Sequence, residues 1–149
     1  MKFNLSPKQS LASLLLGVSL TASLPAYATH SALPVSLPEK QVIGGVPYVS
    51  GGIGADEAAA MKAMASHYAL ELDFIARQRN GNGVYLAENK VMIRDHEGGI
   101  VLDTVADGPF LLTNLPPGQY TVEAVNGNQV QKRLVTLKPG RRALLVFEW

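Results

Sequence analysis

The sequence predicts a small, mainly β protein: an antiparallel sandwich over residues 84–149, with a helix–strand unit over 54–76 packed on it. Three observations predict this. From Val84 onward, short runs of alternating apolar residues recur between turn signals at roughly 8–12-residue spacing, as in sandwiches and barrels. Ala55 to His67 is alanine-rich, with Met61, Met64, Ala65 and Tyr68 at the i, i+3, i+4, i+7 positions of one helical face. The chain has no cysteine, so packing alone must hold the core, without disulfides or thiolate metal sites.

Thr29 to Pro47, with Pro34, Pro38 and Pro47, reads as an extended lead-in, and residues 48–149 as a single domain. Val46 to Ser50 is a candidate short strand. Gly51-Gly52-Ile53-Gly54 leads into the helix, where Asp56 and Glu57 suit the positive end of its dipole. At Tyr68 to Ala76 the period changes to two, with Leu70, Leu72, Phe74 and Ala76 on one face. The expected strands after the Arg77–Gly83 loop are Val84 to Arg94, Ile100 to Val105, Phe110 to Leu115, Tyr120 to Val125, Val130 to Leu137 and Arg142 to Trp149. Asn126-Gly127 is a strong hairpin signal. The expected core comprises Met61, Leu70, Phe74, Val91, Ile93, Phe110, Leu115, Tyr120, Val122, Val135, Leu145 and Phe147.

Within this pattern stand Leu86, Val91, Ile93, the Gly98-Gly99 turn and the run Phe110…Leu115-Pro116-Pro117-Gly118-Gln119-Tyr120-Thr121-Val122. An apolar residue, a Leu-Pro-x-Gly turn and a Tyr-x-Val strand resemble the carboxypeptidase regulatory-like domain, a prealbumin-like (transthyretin-like) sandwich. The resemblance implies a fold, not a function, because such modules are appended to many unrelated proteins. The residues argue the same way: Pro117 presets a turn dihedral, and Tyr120 can bury its ring while its hydroxyl bonds at the corner. The Pro-Gly-x-Tyr turn is also similar to that of Cna B-type repeats, which often carry a lysine–asparagine isopeptide bond. Lys90 and Glu123 would fill two of its roles, but Arg142 to Trp149 offers no asparagine or aspartate to accept the bond.

The first 28 residues have the three parts of a cleavable secretory signal: Lys2 and Lys8, the uncharged stretch Leu11 to Leu24, and Pro25 before Ala26-Tyr27-Ala28. The apolar stretch is shorter than the about 20 residues that span a membrane. The expectation is cleavage before Thr29 and a periplasmic or secreted product with no membrane span. The 13 basic residues less Lys2 and Lys8 leave 11, against 12 acidic, a net charge of −1. That balance gives no basic surface for nucleic acid.

Motifs for catalysis are sparse. The glycine loop before the helix is not a Walker A loop or a dinucleotide fingerprint, and Asp56 and Glu57 would repel a phosphate there. Ser50 lacks the flanking glycines of a nucleophile elbow. His30, His67 and His96 show no metal-ligand spacing, and Asp95, Glu97, Asp103 and Asp107 form no recognisable calcium loop. The expectation is a non-enzyme without cofactor or metal. Its partner would be another envelope protein or, alternatively, a glycan. Tyr48 and Tyr85 are the candidate exposed aromatics, and Met61 and Met64 a candidate interaction stripe that at this spacing reads first as core. A third reading takes Phe147 and Trp149 as a terminal outer-membrane signal, against which the short strands argue.

Overall fold

The computed structural model describes residues 36–149. The expected signal segment, and the lead-in up to residue 35, lie outside the described residues. The described chain is a β-sandwich with one helix on an outer face. In order it contains β1 (Gln41–Ile43), β2 (Val46–Gly51), α1 (Ala55–Met64) with a 3₁₀ turn (Ala65–His67), β3 (Leu70–Arg77), β4 (Gly83–Tyr85), β5 (Asn89–Asp95), β6 (Ile100–Ala106), β7 (Phe110–Thr113), β8 (Gly118–Asn126), β9 (Gln129–Leu137) and β10 (Ala143–Glu148). One sheet has the order β1-β2-β7-β3-β10, with β4 continuing beside β3 where β7 stops; the other runs β6-β5-β8-β9.

Alternation sets which face each strand buries. Leu70, Leu72 and Phe74 of β3 point between the sheets, against Val91 and Ile93 of β5, Val122 of β8 and Phe147 of β10. Phe74, Phe147 and Trp149 stack in sequence, with centroids 5.9 and 6.2 Å apart. The terminal aromatics are thus core partners of β3. Tyr120 buries its ring, and its hydroxyl donates to the Pro116 carbonyl at 2.9 Å, the corner bond its position suggests.

The helix–strand unit is more than a layer added to a finished sandwich. β3 lies between β7 and β10, antiparallel to the first and parallel to the second. Without residues 70–77, β10 would have no sheet partner. Helix α1 lies on the opposite, outer face of that sheet. Met61 and Ala65 are buried there against Val49, Phe110 and Leu112, with Ala58, Met64 and Tyr68 at the margin. Met61 and Phe110 therefore belong to a second cluster, not to the one core expected from sequence, because β7 turns Phe110 and Leu112 outward and Leu111 inward.

Four expected features differ in detail. The lead-in is paired from Gln41, where β1 folds back on β2 across Gly44-Gly45. Val84 to Arg94 is two strands in different sheets. The chain crosses between them at residues 86–88, with Glu88 at φ 58° and Asn89 buried, its amide donating to the Leu86 carbonyl at 3.0 Å. The hairpin after β8 turns on Gly127-Asn128, one residue later than Asn126-Gly127: only its first central position has positive φ (56°), the type II′ pattern, and Asn126 is left paired with Gln129. Leu145 is only partly buried.

Candidate functional site

The helix covers only the β2–β7 half of its sheet. The β3–β10 half keeps an outer face formed by Glu71, Asp73 and Ile75 of β3 and Leu144, Val146 and Glu148 of β10. Leu144 and Val146 are 49% and 39% exposed there. Tyr85, on β4, stands beside this face, opposite Ile75 in register and 48% exposed.

Charged groups are arranged across the boundary with the helix. Lys62 Nζ donates to the Tyr85 hydroxyl at 2.8 Å and lies 5.3 and 5.4 Å from the ring centroids of Tyr85 and Phe110. Those two rings meet edge-on at 5.1 Å. The Tyr85 bond, more than any other influence, raises the Lys62 pKa. Glu71 is buried and held by Arg142 at 3.1 Å. Asp73, two residues on and on the same face, is half-buried. Burial first, then the neighbouring Glu71 charge, pushes its carboxyl up to about 6, against the pull of Lys62 and Arg142. Asp73 Oδ1 is shielded from solvent and reached by no donor among the described residues. A partner's amide or hydroxyl hydrogen would satisfy it.

The candidate residues from sequence fare differently. Tyr85 is on this face. Tyr48 is not a platform: it is 2% exposed in the intersheet core, its hydroxyl bonded to Gln41 Oε1 at 2.6 Å and Thr104 Oγ1 at 2.8 Å. Even residues of β2 face inward and odd ones outward, which buries it. Met61 is 1% exposed and unavailable to a partner; Met64 is partly buried beside it. The glycine loop is occupied by its own chain, because Glu57 Oε1 accepts from Gly52 N at 2.6 Å and Ile53 N at 3.4 Å. Ser50 is buried and accepts from the Asp107 amide at 2.8 Å. His67 ends the 3₁₀ turn and His96 lies in the β5–β6 turn; His30 falls outside the described residues. Asp95 caps that turn, accepting from the Glu97 and Gly99 amides. Lys90 and Glu123 lie on adjacent strands β5 and β8, where Glu123 pairs with Lys132 at 2.8 Å. No group of three or more potential ligands that could hold a metal occurs among the described residues.

Sequence reasoning missed Lys62, Glu71, Asp73 and Arg142 as a group. The signal available was the pair of acids at alternate positions, Glu71 and Asp73, on a strand whose other face is wholly apolar. Such a strand needs its polar face on a surface, yet the helix ahead of it must share that surface.

No described helix is long and apolar enough to cross a membrane. The fold defines a small β-sandwich with a helix on one outer face. No protein-family model matches the chain, and no curated protein matches it.

Proposed function

We propose that the protein is a non-catalytic binding module that acts after export, and that it docks another envelope protein on the uncovered outer face beside the helix. The observation that carries this reading is the composition of that face. Exposed Leu144 and Val146 lie alongside Asp73, whose shielded Oδ1 has no donor among the described residues, with Lys62 and Tyr85 at the rim. An apolar patch with a polar rim and a half-buried acceptor fits a protein surface. The export component rests on the signal-like first 28 residues. The resemblance to carboxypeptidase regulatory-like domains agrees with an accessory role.

The test is retention of envelope proteins on the immobilised protein, compared with Tyr85→Ala and Leu144→Arg variants. The reading expects a protein retained by the parent and lost with both variants, while Leu134→Arg on the other sheet retains it. Equal retention by all four would contradict it.

A glycan-binding reading keeps one feature. Tyr85 borders a shallow cleft of about 420 Å³ lined by Gly52, Ile53, Gly54, Ala55, Ala58, Ala87 and Pro109. With Tyr48 buried and Lys62 over its ring, Tyr85 is a single, partly engaged platform. Glycan-array binding lost in Tyr85→Ala would favour this reading over the first.

A further inference from the structure

We infer that strand β10 pairs with the β10 of a second copy, antiparallel and about a two-fold axis at Leu145, joining the two helix-bearing sheets into one. The inference is independent of the partner-docking reading, which concerns the face of the sheet and not its edge. Among the described residues, β10 has a strand partner on one side only. In its parallel pairing with β3, Ala143 N bonds Ala69 O and Trp149 N bonds Ile75 O. Odd-numbered residues thus spend their backbone groups on β3, and Leu144, Val146 and Glu148 turn theirs to the free edge. Among the described residues only the last is engaged: the Glu148 carbonyl accepts from Gln131 Nε2.

The other edges are defended as sheet edges commonly are. β1 is three residues long. β6 is bulged opposite Ile93/Arg94 and carries Asp103. β9 carries Lys132 and Arg133 in mid-strand. β10 has no charge between Arg142 and Glu148, and its outward side chains there, Leu144 and Val146, are exposed.

Charge selects the occupant and the register. An edge whose free backbone groups belong to even-numbered residues can pair with itself in only a few registers. Centring on Leu145 sets Leu144 beside Val146 of the second copy, and Arg142 beside its Glu148. Centring one residue later would oppose Leu144 to Glu148; centring one earlier would oppose Arg142 to Val146. Within one copy Arg142 already holds Glu71, and Glu148 already holds Arg77. Pairing at Leu145 therefore builds an alternating row, Glu71–Arg142–Glu148–Arg77, across the axis on each side. A six-residue edge is a small interface, so the dissociation constant is expected on the order of micromolar.

The test is sedimentation of the purified protein over a range of concentrations, with Val146→Pro as the blocking variant. The Val146 N–H faces the free edge, so proline removes no bond within the monomer and is tolerated on such an edge. Val146→Lys, at an exposed side chain, is the second variant. Expected are a reversible dimer for the parent and association weakened at least about tenfold in both variants, each with an unchanged circular dichroism spectrum. The chain has no cysteine, so Leu145→Cys should form a disulfide dimer on mild oxidation and Leu144→Cys alone should not. A monomer at every concentration, or a dimer that both Val146 variants leave intact, would overturn the inference. So would oxidation that links Leu144→Cys as readily as Leu145→Cys.

Discussion

Lys62 Nζ donates to the hydroxyl of Tyr85 at 2.8 Å and so ties helix α1 to strand β4 over the ring of Phe110. From sequence Lys62 falls on the solvent side of the helix, where Lys62→Asp should change little. It is exposed, but it is not idle: its charge lies between two aromatic rings and the Glu71–Asp73 pair. Lys62→Ala should lower stability by about 0.5–1 kcal/mol, the worth of an exposed cation–π contact. Lys62→Asp should cost more, because it brings a third carboxylate to that pair. Urea denaturation of the two variants checks the order.

Met61 and Met64 should separate. Met61→Asp buries an unpaired charge between Phe110 and the helix and should unfold the domain or nearly so. Met64, at the margin, should tolerate the same change better. Phe110→Ala should cost about 3–5 kcal/mol, because its ring fills the space between helix and sheet. Thermal unfolding of the three variants decides; equal midpoints for Met61→Asp and the parent would show that the helix is not seated on the sheet.

Asp73 makes stability depend on pH in a defined direction. Its carboxyl is raised from 3.8 to about 6, so the folded state resists its ionisation. The stability linked to this group is fully present below about pH 3.8 and is lost as pH rises through about 6. Asp73→Asn should therefore stabilise the protein at pH 7.5 and do so far less at pH 3.5. Denaturation midpoints at the two pH values check it. A larger gain at the acidic pH would reverse the sign and refute the assignment.

Gly52 is held at φ 102°, and a Cβ there would run into the Phe110 ring, so Gly52→Ala meets both backbone strain and the ring edge. A clear drop in the unfolding midpoint is expected, with the loss reduced in a Phe110→Leu background. Midpoints of the single and double variants measure that coupling.

Much of the architecture was legible because strand alternation and turn residues are local signals. Leu70, Leu72 and Phe74 give away both β3 and its buried face. The pairing was not legible. That β3 sits between β7 and β10, and that β10 runs parallel to it, are long-range choices that no local pattern encodes. Tyr48 failed as a surface residue for the same reason: an isolated aromatic in a short strand shows its face only when its partners are known. The break at Glu88 carries no glycine or proline; its one local signal was the polar run Glu88-Asn89-Lys90 between Leu86 and Val91. The charged face was half-visible, since Glu71 and Asp73 alternate with core residues, while Lys62 and Arg142 reach them from distant segments.

On the proposed function, the uncovered face beside α1 is where the protein meets its partner. The deciding measurement replaces Tyr85 with a photoreactive benzophenone residue in the producing cell, with Leu134 on the opposite sheet as a control. Illumination should give a defined adduct with another envelope protein from position 85 and none from position 134. Adducts from position 134 with none from position 85 would place the contact on the other sheet and contradict the account.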